Sequence, residues 1–180
     1  MYPRPSQSPL VRFFSGLAEY AFQARLGVAD PPLIDYITDL LVRFVHYDAV
    51  FHVRNPTGRR LEEVAAMLAE ANARQGDARR EIHRHIGDFT LFWSGLYPET
   101  LPRLQGNTRP DHLLDYWVQG KRAYHIAATI PAREPAVEND LLERLSHDFE
   151  LCAYGLGEIR REWERRDEEG SGPQQPLVIS

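Results

Sequence analysis

Between Pro9 and Trp163, apolar residues recur at three- and four-residue steps, and breaks carrying proline or glycine cut the run into six blocks. That spacing places the apolar side chains of each block along one face of an α-helix. A half-buried strand needs two-residue alternation, and no convincing run of it occurs. The pattern predicts an all-α, single-domain bundle of about six amphipathic helices joined by short loops.

The boundaries follow from local chemistry. The first helix starts at Pro9, carries Leu10, Phe13, Phe14, Leu17, Tyr20 and Ala21, and ends near Gly27. Asp30-Pro31-Pro32 starts the second, because aspartate caps free amides and proline suits the first helical position. Leu33, Ile34, Ile37, Leu40, Leu41, Phe44 and Val45 form its inner face, and Asn55-Pro56 is its latest possible end. Thr57 is read as the cap of a third helix running to Gly76, and Asp77 as the cap of a fourth that breaks near Pro98. A loop spans residues 98–107. Thr108-Arg-Pro-Asp111 resembles a capping box for a fifth helix that reaches Thr129. Pro135 opens a sixth, long enough for a bend at Gly155 or Gly157. Residues 1–8 read as a flexible N-terminal segment, 9–164 as the helical domain and 165–180 as a disordered tail.

Composition narrows the function classes. With 43% hydrophobic residues among 180, the chain can build a core. Twenty-one basic against 26 acidic residues give a net charge of -5, which disfavours nucleic acid as a partner. The start lacks a secretory pattern, and no apolar segment approaches the roughly 20 residues that cross a bilayer, so the expectation is cytoplasmic, with no membrane partner. Cys152 is the single cysteine, and Lys121 the single lysine beside 20 arginines.

The segment HRHIGDFTLFWSGLYPE, residues 83–99, sets Gly87 and Asp88 inside an otherwise aromatic helix. Glycine costs about 0.5–1 kcal/mol relative to alanine there, so a compensating contact is expected. Gly87 and Ser94, seven apart, share a seam on the fourth helix, and Gly120, Ala123 and Ala127 form a similar strip on the fifth. These strips predict a close crossing of the two helices. Asp88 then needs a partner, for which Lys121, Arg122 and the Tyr124 hydroxyl are candidates. Two readings stay open. Asp88 belongs to a structural pair, or His85, Asp88, Lys121 and Tyr124 line a polar ligand pocket between the helices.

Other chemistry is weakly signalled. Glu81 with His85 and Glu143 with His147 are four apart, and His112 lies three from Asp115. None has the Glu-x-x-His spacing of di-iron bundles, and HExxH is absent, so no metal or cofactor is assigned. Ser94 lacks a nucleophile elbow, and Cys152 sits on a core stripe. Gly120-Lys-Arg lacks the rest of a phosphate loop. Arg74, Arg79, Arg80, His83 and Arg84 interleave with Glu70, Asp77 and Glu81, which reads as a solvated face.

The segments RLGVADPPLIDYITDLLVRFVH, RHIGDFTLFWSGLYPE and LLDYWVQGKRAYHIAA resemble those of a family of uncharacterised bacterial all-helical proteins, across most of residues 10–165. The resemblance implies a bacterial, cytoplasmic protein and carries no activity or catalytic residue with it. Two functions from different classes remain. One is a non-enzymatic module that associates with itself or another protein. The other is a bundle holding a small ligand or metal in its core, with oxidase- or oxygenase-like chemistry.

Overall fold

Ser8 and Asp30 each put a side-chain oxygen where a helix has free amides, and the first two helices begin there. Ser8 Oγ accepts from the Val11 amide at 3.3 Å, and Asp30 Oδ1 from the Leu33 amide at 3.3 Å. In this computed structural model, which describes residues 8–46, 50–51 and 53–170, the helices are α1 (Pro9–Glu19), α2 (Pro31–Phe44), α3 (Val64–Ala73), α4 (Gly76–Leu96), α5 (Leu101–Leu104), α6 (Tyr116–Thr129), α7 (Asn139–His147) and α8 (Phe149–Glu169). The fold is all-α, and Arg54 pairs with Arg60 in an isolated antiparallel bridge. The six predicted helices are found as eight among the described residues. The flexible segment expected over residues 1–8 lies outside the described residues except for Ser8, and residues 171–180 of the expected tail also lie outside them.

By its contacts the chain divides into two compact units. One comprises residues 1–50 and 154–180. Its helices are α1, α2 and the body of α8, and its buried side chains include Phe14, Leu17, Phe22, Ile37, Leu40, Phe44, Leu156 and Ile159. Past Glu19, α1 continues as a π-helical stretch, Tyr20–Arg25, and Gly27 closes it with φ of 68°. α8 runs on without a break through Gly155. That glycine makes room for the Phe22 ring, whose Cζ would lie 2.1 Å from any β-carbon placed there.

Arginine and glutamate spaced three or four apart carry α8 to Glu169, through residues read from composition as tail. Arg160 bonds Glu164 at 2.8 Å, and Glu162 accepts from Arg165 and Arg166, each at 2.7 Å. Such pairs contribute about 0.2–0.5 kcal/mol each to an exposed helix.

The second unit, residues 51–153, contains α3 to α7 and the first turn of α8. Within it α4 packs extensively against α6, and α6 against α7. Several boundaries here differ from expectation. Thr57 caps no helix: its amide and hydroxyl both donate to Asn55 Oδ1, as does the Arg59 amide, which closes a turn. The third helix starts later, at Val64, and its cap comes from far along the chain. Asp111 Oδ2 accepts from the Val64 amide and Oδ1 from the Ala65 amide, both at 2.8 Å. Asp111 therefore belongs to no capping box with Thr108. The helix after it starts at Tyr116, capped by Asp115, whose Oδ1 accepts from Trp117 at 2.9 Å and Val118 at 3.3 Å. Residues 98–107, expected as loop, hold a 3₁₀ turn and the short α5. The expected sixth helix starts at Asn139 and breaks at Asp148 into α7 and α8.

Candidate functional site

The candidate residues converge where α4 meets α6. A β-carbon on Gly87 would lie 2.6 Å from carbons of the Tyr124 ring, and one on Gly120 would lie 2.4 Å from Thr90 Oγ1 and from the Phe149 ring. The strips predict a close approach of the two backbones; the space over each glycine is instead filled by side chains, Tyr124 over Gly87 and Thr90 with Phe149 over Gly120. A later α4 position, Thr90, meets an earlier α6 position, Gly120, so the two helices run antiparallel. Thr90 is accommodated in the helix by donating its hydroxyl to the Ile86 and Gly87 carbonyls, at 2.8 and 3.0 Å.

Tyr124 lies over Gly87, and its hydroxyl donates to Asp88 Oδ1 at 2.7 Å. Both residues are buried, with 0% and 1% of their surface exposed. The missing side chain at 87 and the carboxylate at 88 are thus one device. Glycine admits the ring, and the carboxylate receives its polar end.

Lys121 does not complete the cluster. It sits on the outer side of the seam and donates to Glu150 Oε1 on α8 at 2.7 Å, with both side chains about 40% exposed. Of the candidates for Asp88, Tyr124 is the one that bonds it, and Lys121 pairs with Glu150 instead. The Lys121 ammonium holds the Glu150 carboxyl below its ordinary value. Ser146 donates to the Lys121 carbonyl at 2.7 Å, tying α7 to α6 at this level. His85 is buried one turn before Asp88, with its ring centroid 6.2 Å from that of Phe89. Of the four candidates, direct bonding joins Asp88 and Tyr124, and the Tyr124 ring fills the space above Gly87.

The paired residues with metal-like spacing go elsewhere. Glu81 is engaged by Arg84 at 3.1 Å, Glu143 by His125 at 2.9 Å, and Asp115 by the start of α6. His147 is 87% exposed beside Asp148. No group of three or more metal-ligating side chains occurs among the described residues. No helix among them is long and apolar enough to cross a membrane.

Three buried polar residues escaped the sequence reading. The basic cluster on α4 is not wholly a solvated face, because Arg80 and His83 are buried, at 1% and 2% exposure. Arg80 Nη2 donates to the Val137 carbonyl and to Asn139 Oδ1, each at 2.7 Å, and so pins the approach to α7. Neither ring nitrogen of His83 has a hydrogen-bond partner among the described residues. Burial first, and then the Arg79 and Arg122 guanidiniums, hold its imidazole down at about 4. The third is Asp111, fully buried, which also accepts from the Tyr116 hydroxyl at 2.5 Å. Burial, reinforced by this carboxylate, pushes the Tyr116 phenol well above its ordinary range. Position 83 lies on the same helical face as Gly87, and that spacing was the available signal for its burial.

A different surface stands out in the first unit. Leu10 and Phe13 of α1, and Tyr20 at the start of the π-helical stretch that continues it, are 37%, 38% and 36% exposed. Phe13 and Tyr20 lie seven apart on one flank of the helix, and Gly16, with nothing within 4 Å of its would-be β-carbon, lies between them. Arg12 and Glu19, also seven apart, edge this flank, and Arg12 has no ion-pair partner among the described residues.

No family model, no curated protein and no solved structure matches this chain.

Proposed function

We propose that the chain is a non-enzymatic association module, and that α1 is its contact surface, pairing antiparallel with α1 of a second copy. The observation that carries this reading is the exposed flank of Leu10, Phe13 and Tyr20 beside an open Gly16. Large apolar side chains clustered on a surface favour a protein contact over water. A two-fold axis near Gly16 sets Phe13 of one copy against Tyr20 of the other, twice over. The same axis brings Arg12 toward the oppositely charged Glu19 of the second copy, so the charge pattern is self-complementary. Three half-exposed apolar side chains amount to less than a standard interface, so the dimer is weak and concentration-dependent.

Sedimentation velocity over a dilution series tests this. The expected result is a monomer–dimer equilibrium that Phe13→Glu with Tyr20→Glu shifts to monomer, with helix content unchanged. Arg12→Glu should weaken the dimer, and adding Glu19→Arg should restore it. A chain that stays monomeric at the highest concentration, or a dimer indifferent to these changes, refutes the reading.

A further inference from the structure

A cleft of about 230 Å³ opens in the second unit beside the amino-terminal turns of α4, lined by Asp77, Arg80, Glu81, Ala132, Glu134, Pro135 and Ala136. Its most constrained wall residue is Arg80. A guanidinium that is 99% buried is costly unless its charge and its donors are met. Only one of its three nitrogens is fully used, Nη2, by the Val137 carbonyl and Asn139 Oδ1. Both of those acceptors are neutral. Nε has no partner among the described residues. Nη1 comes no nearer to a carboxylate than 3.7 Å, from Glu81 Oε1, which is beyond hydrogen-bonding distance. The Glu81 carboxylate is itself half exposed and shared with Arg84 at 3.1 Å. Nε is sealed from the cleft, so the donor that this buried cation offers it is Nη1, which makes no hydrogen bond among the described residues.

The rest of the rim has the opposite sign. Asp77 and Glu134 have no ion-pair partner among the described residues, and neither is buried. A simple anion drawn to Arg80 would meet the repulsion of three carboxylates, and a simple cation drawn to the rim would meet the guanidinium. A molecule with an anionic and a cationic end a few ångströms apart satisfies both walls. The volume lies below the roughly 300–1,000 Å³ of drug-sized sites, so the molecule is small.

We propose that this cleft binds a small zwitterion of the α-amino-acid class, its carboxylate accepting from Arg80 and its ammonium donating to Asp77 and Glu134. The site is independent of the α1 surface, and its success or failure does not bear on association.

Backbone amide shifts of the full chain, titrated with free L-alanine and free L-leucine, test the proposal. The expected result is saturable binding in the millimolar range by at least one of them, with shifts centred on residues 77–81 and 132–136. The amides of the same amino acids keep only the cation, and their N-acetyl derivatives keep only the anion. Both should bind at least about tenfold more weakly, as loss of a charged contact worth about 1.4 kcal/mol requires. Glu134→Gln, a change at an exposed loop position that leaves the fold intact, should weaken L-amino-acid binding by a similar factor. No saturable shift with either amino acid overturns the proposal. So does equal binding of an N-acetyl derivative, which would mark a plain anion site, or of an amide, which would mark a plain acidic patch.

Discussion

Replacing His83 with leucine should flatten the acid side of the stability profile of the second unit. In the folded protein the imidazole is held at about 4 by burial and by Arg79 and Arg122, against an ordinary value of 6.5. The unfolded chain therefore takes up a proton at a pH where the folded chain does not. Stability is whole above pH 6.5 and falls by about 1.4 kcal/mol per pH unit as the pH drops toward 4. Over the interval from 6.5 to about 4 the loss from this one group is about 3 kcal/mol. Other titrating groups act on both proteins, so the informative quantity is the difference between wild type and His83→Leu. At pH 7 the two should be nearly equal, or the variant slightly more stable, because leucine removes two buried nitrogens that lack partners. Near pH 4 the variant should lead by about 3 kcal/mol. Urea unfolding followed by the fluorescence of Trp93 and Trp117 reports on the unit that contains His83. Trp163, in the other unit, is first changed to phenylalanine. Parallel pH profiles for the two proteins would refute the reasoning, as would an imidazole proton resonance that titrates near its ordinary value.

Three further outcomes are expected. Gly87→Ala pushes a methyl group into the Tyr124 ring, which is packed and cannot swing away, and should cost about 1–3 kcal/mol in thermal or urea unfolding. A neutral result would mean that the α4–α6 seam is looser than its distances imply. Tyr124→Phe, which strips a hydroxyl from the buried Asp88 carboxylate, should cost about 1–3 kcal/mol, while Lys121→Met, at an exposed pair, should stay within about 1 kcal/mol of wild type. The reverse order would restore the Asp88–Lys121 pairing. Asp111→Ala removes two amide caps and the Tyr116 bond together and should cost about 2–4 kcal/mol, with amide exchange rising first at Val64 and Ala65.

Local signals were legible where their partners are near in sequence. Asp30 caps α2 as its Asp-Pro-Pro context implies, because the amide it serves is three residues away. The α4–α6 seam was legible because small residues in a large-residue helix have few other uses, and Tyr124 was already among the candidates for Asp88. Lys121 was misplaced because the fit of a lysine to a carboxylate in sequence takes no account of angle. Lys121 follows Gly120 by about 100° around α6, which turns it from the seam toward Glu150. Thr57 and Asp111 were misread for a related reason. A threonine beside Asn55 can cap a helix or close a turn, and the choice fell to Asn55 Oδ1, which gathers three donors. The glycines at 155 and 157 suggested a bend in the last helix. The break falls at Asp148 instead, and Gly155 serves the Phe22 ring, a contact separated from it by most of the chain. Arg80 was the hardest to foresee, since arginine among glutamates ordinarily faces water.

The cap on α3 has a consequence for how the chain is made. Val64 waits for an acceptor that lies 47 residues downstream. During synthesis the ribosome releases the whole of α3, and α4 after it, before Asp111 leaves the exit tunnel. Until then the start of α3 frays in water, and the nascent segment stays open to proteases and chaperones. Arrival of Asp111 supplies the acceptor that the first amides of α3 lack until then.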